Sequence, residues 1–227
     1  MCKPWLKEQW VTPTIGWEYV WRMEDILDLY EEPYDPKRPM VCFDEMPYQL
    51  TAEVRQPLPM QTGRPQRYDY EYKRMGTRNL FMFFQPLAGW RQVKITQRRT
   101  KQDYAHCMRD LVDVHFPDAE VIRVVQDNLN THTPAALYET FEPAEARRIL
   151  RKLEFHYTPV HGSWLNMVEI EFSVLVRQCL DRRIPDEQTL QREIAAWEAE
   201  RNTRKATVDW QFTSNDARVK LSRLYAS

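Results

Sequence analysis

The sequence predicts an α/β fold built on a mixed five-stranded sheet flanked by helices, and three observations carry that expectation. Three β-rich segments, "MVCFDEM", "TRNLFMFFQ" and "WRQVKIT", follow one another with no helical pattern between them. Helical and strand-like stretches then alternate, which is the signature of an α/β domain. Finally, 227 residues at 43% apolar content suffice for one well-buried domain with small appendages.

Each element has its own justification. In "WEYVWRMEDILDLY", Trp17, Val20, Trp21, Ile26, Leu27 and Tyr30 recur at roughly helical spacing among acids, predicting an amphipathic lead-in helix. The prolines of "EEPYDPKRP" end it. "MVCFDEM" (40–46) is too short and too rich in β-formers for a helix, so it reads as a buried strand carrying Asp44 near its C-terminal end. The Pro-, Gln- and Arg-rich "RQPLPMQTGRPQRYDYEYK" reads as a long loop. "TRNLFMFFQ" is a continuous apolar strand, and "WRQVKIT" alternates, the two being joined by a Pro-Leu-Ala-Gly turn. Together they suggest an antiparallel three-stranded start.

"TKQDYAHCMRDLVDVHF" is helical in its spacing, with Thr100 as N-cap. "AEVIRVVQDNL" is a second buried strand, and it delivers Asp127 at its end. "TPAALYETFEPAEARRILRKL" reads as a helix that Pro143 kinks or splits, followed by the short strand "EFHYTP". "SWLNMVEIEFSVLVRQCL" places Leu165, Val168, Phe172 and Leu175 on one face and opens on Ser163 as the expected N-cap. Two last helices, in "DEQTLQREIAAWEAERNTR" and "NDARVKLSRLY", flank the β-like "TVDWQFT".

Composition narrows the functional classes. The formal charge of -1 announces no global basic excess, so any nucleic-acid partner would be met by local patches. Cys2, Cys42, Cys107 and Cys179 stand singly, which fits reduced thiols and argues against a structural zinc site; Cys42 and Cys107 read as core residues. No uncharged apolar run approaches the roughly 20 residues that cross a bilayer, and the N-terminus lacks a signal-peptide core. The expectation is a cytoplasmic chain with no membrane partner.

Asp44 and Asp127, both at strand ends, stand where α/β sheets gather ligands. Glu169 borders the apolar stripe of Val168 and Phe172 and could complete a trio from a helix packed beside the sheet; Glu171 falls on the other flank. Three convergent carboxylates repel one another unless cations neutralise them. Hard divalent ions do so, and a pair of them about 4 Å apart serves phosphodiester chemistry. The alternative is that these acids are turn formers or helix caps.

The neighbours carry paired readings. Glu45 should point to the opposite face of its strand and is read as structural, and Glu171 as a solvated helix residue. Asn128, Asn130 and His132 either hold the loop after Asp127 and touch DNA, or form an Asx-type turn and helix cap in "NTHTP". His161 could approach metals or a phosphate, or hydrogen-bond within its loop. Trp164 and Asn166 are read as fixing the Glu169 helix, with Trp164 also a candidate for stacking on an extruded base. Arg98, Arg99 and Lys101, the run Arg147, Arg148, Arg151 and Lys152, Arg182 and Arg183, and Arg64 and Arg67 in the long loop would form a phosphate track if several met near the acids; singly, each is a solvated face. Ser163 with His161 lacks the G-x-S-x-G pattern of a hydrolase elbow.

"CFDE", "QDNLNTH" and "HGSWLNMVEIEFSVL" resemble, in order, the three acid motifs of DDE transposases, specifically the insertion-sequence six-thirty group, bacterial relatives of mariner elements. The resemblance runs from about "KPWLKEQW" to the C-terminus. It implies an RNase H-like fold over 39–205 as the DDE catalytic domain, after a lead-in helix and linker (1–38) and before a C-terminal helical extension (206–227). It further implies that Asp44, Asp127 and Glu169 bind two Mg²⁺ or Mn²⁺ ions and that the chain cuts and rejoins double-stranded DNA, element ends and target, as a homodimer near the nucleoid. Complete members carry an N-terminal helix-turn-helix region, which this chain is expected to lack. The interval from Asp127 to Glu169 is longer than in mariner relatives, as a helix split at Pro143 would make it. Two alternatives remain: a remnant that only binds DNA or a full-length transposase, and a host nuclease on the same fold.

Overall fold

The computed structural model describes residues 16–225, so Cys2 and the stretch "KPWLKEQW" lie outside the described residues. The helix α1 (Trp17–Glu31) leads into β1 (Met40–Glu53), β2 (Tyr72–Gln85) and β3 (Trp90–Thr96). Next come α2 (Lys101–Asp110), β4 (Ile122–Gln126), α3 (Ala135–Thr140), α4 (Pro143–Leu150) and β5 (Leu153–Tyr157). The last elements are α5 (Val168–Leu175), α6 (Glu187–Thr203) and α7 (Ser214–Lys220). The sheet order is β3-β2-β1-β4-β5, with β1–β2 and β2–β3 antiparallel and β1–β4 and β4–β5 parallel. This is the expected mixed sheet.

Period-two alternation sorts the strand residues into two cores. Met40, Cys42, Leu80, Met82, Phe84 and Val125 face the layer of α1, α5 and α6. Val41, Phe43, Phe81, Phe83, Ile122 and Val124 face α2, α3 and α4. A sheet covered on both sides needs apolar residues at successive positions, which is why Leu80 to Phe84 are buried without a break. Thr100 caps α2 in a full capping box with Asp103, and Pro143 opens α4 after the break at Phe141. The turn between β2 and β3 closes on Gly89, whose φ of 66° and contact with the Lys205 backbone leave no room for a Cβ.

Three local expectations are corrected. The first strand does not end near Asp44 but runs on to Glu53, because β2 continues opposite it through Tyr72 and completes its backbone hydrogen bonds. Its pairing with β4 stops at Cys42, so the later half has a free edge, where Pro47 costs no ladder bond. "TVDWQFT" forms no strand: Val208 N–H donates to Pro86 O (3.2 Å), and Trp210 packs edge-on to Tyr30 at 5.2 Å, covering aromatic surface instead of joining the sheet. Ser163 caps no helix; it opens a single 3₁₀ turn, and α5 begins only at Val168.

Candidate active site

The register of two parallel strands sets the site. Cys42 pairs with Val125, so the next residues of the same parity, Asp44 and Asp127, lie side by side just beyond the last paired position. Both follow residues of the face that packs α5. They stand where β1 and β4 part, which is where open α/β sheets form a crevice.

Asn166 brings the third acid to that crevice. Its Nδ2 donates to Phe43 O at 3.0 Å, and its Oδ1 accepts from Val168 N–H at 3.3 Å, tying the strand residue before Asp44 to the first residue of α5. Tyr30 OH donates to Leu165 O at 2.6 Å from the other side. Glu169, the second residue of α5, is therefore held near enough to Asp44 for its charge to act on that carboxyl. The sequence reading of Asn166 as a support of this helix gains its mechanism here.

The electrostatics are those of partly buried acids that repel one another. Burial pushes the Asp44 carboxyl up to about 7, helped by the charges of Asp127, Glu45 and Glu169 and opposed by a 2.8 Å hydrogen bond from Glu45 N–H. Glu169, exposed along much of its side chain, is also raised, first by lost hydration and then by the charge of Asp127. Oxygen donors with surplus negative charge suit a hard divalent ion. Among the described residues no three histidine, cysteine or acidic side chains are yet closed into a ligand set.

His132, named from the sequence as a support of the loop after Asp127, also reaches Glu45. It is 1% exposed, with Nδ1 2.5 Å from Asp127 Oδ1 and Nε2 2.8 Å from Oε2 of Glu45, whose side chain is itself buried. The second contact is off-axis for a hydrogen bond and acts as charge on charge. Burial alone would lower its imidazolium, but the hydrogen bond to Asp127, the close approach of Glu45 and the charges of both acids outweigh that and hold it up to about 9. No side-chain helix cap forms in "NTHTP", because the residue that precedes α3 is Pro134, which has no side-chain acceptor. Asp127 Oδ1 instead accepts from Leu129 N–H at 3.3 Å in an Asx-type turn, while Asn128 and Asn130 stay exposed.

Glu171 is not solvated. It is fully buried, with Arg201 donating at 2.6 and 3.0 Å and Arg91 Nε at 2.9 Å. Its place three residues after Val168 and four before Leu175 puts it on the apolar stripe, and that spacing was the available signal.

The remaining candidates scatter. Arg99 reaches Glu45 Oε1 at 3.5 Å and so borders the acids, with Arg98 exposed beside it; Lys101 is paired with Glu139 at 2.7 Å. Arg182 and Arg183 are paired with Glu193 and Glu53, and the guanidinium of Arg183 lies over Tyr68 and Tyr72. Arg64 and Arg67 are exposed in the 54–71 connection. Arg148 is held by Asp113 and Glu145. His161, at φ 66°, is exposed. Trp164 stacks on Trp210 at 6.3 Å and donates to Tyr19 OH at 3.2 Å, leaving 42% of the residue in solvent. Cys42, Cys107 and Cys179 are free and buried, and no described helix is long and apolar enough to cross a membrane.

The sequence model of DDE superfamily endonucleases matches residues 39–191. Among solved structures, the fold is similar to a Mos1 transposase paired-end complex with left transposon end (15% identity, TM-score 0.56, 88% of this chain and 61% of that one). It is also similar to a pre-cleavage Mos1 transpososome (13%, 0.54, 90% and 67%) and to a Mos1 mariner paired end complex with Mn (16%, 0.52, 91% and 62%). At these identities the likeness is one of fold, the RNase H-like arrangement of a mixed five-stranded sheet between helices. The chain spans about three fifths of the length of the first of these structures. No curated protein sequence matches it.

Proposed function

We propose, from the premise that this chain belongs to the DDE superfamily endonucleases, that it is the catalytic part of a transposase of the insertion-sequence six-thirty group, cutting and rejoining double-stranded DNA at element ends. The observation that carries the reading is the register of Asp44 and Asp127 on adjacent parallel strands, on the face where Asn166 fixes the start of the Glu169 helix. The similar structures, one a paired-end complex with left transposon end and one a paired end complex with Mn, support the substrate and the ion.

Asp44, Asp127 and Glu169 would hold Mg²⁺ or Mn²⁺, two ions between them. When bound, such ions lower the pKa of the attacking oxygen and stabilise the leaving one. The acids themselves fix position and must be ionised to do so. In the first step water attacks a phosphodiester phosphorus, the P–O bond to the 3′ oxygen breaks, and the 3′-hydroxyl is freed. In the second that hydroxyl attacks a target phosphodiester and expels its 3′ oxygen. Arg99, which reaches Glu45, and the exposed Arg98 next to it in the chain are suited to a phosphate, and Trp164, which donates to Tyr19 of α1, is suited to a base. Two copies on DNA, in the nucleoid, complete the proposal.

The test is strand cleavage of labelled DNA bearing the element's ends, with Mg²⁺ or Mn²⁺, comparing the native chain with Asp127→Ala. Cutting that requires metal and disappears in the variant is expected. Cutting that survives Asp127→Ala removes that acid from the mechanism, and no cutting even with a recognition domain supplied favours a DNA-binding remnant.

A further inference from the structure

We infer that His132, braced by Glu45, is a positioning residue that turns Asp127 so that only one of its two oxygens is free to face a divalent cation. The inference rests on the metal-binding reading above and adds the denticity of one ligand and the residues that impose it.

Oδ1 of Asp127 has two acceptor directions, and both are taken. His132 Nδ1 lies 2.5 Å away and Leu129 N–H donates from 3.3 Å. Among the described residues Oδ2 takes no hydrogen bond. The carboxylate is thus anchored by one oxygen and leaves the other unengaged.

The imidazole cannot swing. Its ring stacks on Tyr104 at 4.9 Å and 26°, and Phe43 meets it edge-on at 5.4 Å. Its own carbonyl accepts from Gln126 Nε2 at 3.1 Å and from Tyr157 OH at 3.4 Å, and Tyr104 OH donates to Gln126 Oε1 at 3.0 Å. Glu45 Oε2 sits 2.8 Å from the far nitrogen, so the ring is held at both ends between carboxylates. Glu45 points to the face opposite Asp44, so successive residues of one strand serve the site from both layers. A ligand carboxylate fixed by a hydrogen bond from a neighbouring side chain holds a metal more tightly than one left to turn.

The experiment is Mn²⁺ titration of the full chain, followed by the electron paramagnetic resonance signal of free Mn²⁺, with thermal unfolding of each metal-free variant to establish that it is folded. Asp127→Asn reports on the metal reading itself and should abolish the site. His132→Ala should weaken Mn²⁺ about 10- to 100-fold, and Glu45→Gln about tenfold. His132→Asn, which keeps an N–H near the Nδ1 position, should recover to within about threefold of native. A folded His132→Ala that binds Mn²⁺ like the native chain overturns the inference. If His132→Ala does not fold, a native affinity in Glu45→Gln overturns it. Unchanged binding in Asp127→Asn would instead take down the metal reading, and the inference with it.

Discussion

Glu169 and Glu171 lie on the same turn of one helix and meet opposite electrostatic fates. Glu171 faces the core, where Arg91 and Arg201 neutralise it; Glu169 faces the crevice, where its nearest charged company is other acids. A fold that buries one carboxylate supplies two guanidinium groups, and within a helical turn leaves another to repulsion. The contrast separates charge that holds the structure from charge held in reserve for something outside the chain.

The largest expected effect breaks the reserved side. Asp44→Asn or Glu169→Gln should cut metal-dependent strand cleavage by about a thousandfold or more, roughly 4 kcal/mol of barrier, while leaving urea stability unchanged or slightly higher. A folded variant that keeps its cleavage rate would remove that acid from the reserved set. Next comes the compensated side: Arg91→Ala leaves Glu171 buried against one partly exposed arginine and should cost about 3–5 kcal/mol in urea unfolding. A loss under about 1 kcal/mol would mean that Arg201 alone suffices.

Glu198 sharpens the comparison through pH. It is largely buried, and burial raises its carboxyl to about 7 against the pull of Val93 N–H and Arg91. A folded-state pKa above the ordinary 4.5 means its contribution is full below that value and is lost as pH rises through about 7. Glu198→Gln should match the native chain near pH 5 and exceed it by about 1 kcal/mol at pH 8, measured by urea unfolding. The smallest effect belongs to a surface pair: Lys101→Ala, which frees Glu139, should change stability by less than about 1 kcal/mol, and less still in high salt.

Much of this was legible in the residues. Strand alternation placed Asp44 and Asp127 together because a sheet has period two, so apolar neighbours reveal which way an acid points. The run of β1 past Asp44 was hidden, since a strand ends where its partner ends and the partner lies beyond a long connection. Helical spacing held the Glu171 answer, but reading it required ranking an acid with Val168, Phe172 and Leu175, which its charge discourages. His132 was legible only as a support of the loop after Asp127: the path that folds it back under that acid depends on Phe43 and Tyr104, residues remote in sequence. Ion pairing of Lys101, Arg182 and Arg183 was equally invisible, as their partners come from other elements.

Asn166 has a consequence for how the chain tolerates change. By bonding at once to the strand before Asp44 and to the head of the Glu169 helix, it gives that helix a fixed address rather than a fixed distance along the chain. The exposed break between α3 and α4, around Glu142, can lengthen or shorten without moving the acids. Insertions there should be absorbed, whereas the single amide that receives the returning chain has no substitute.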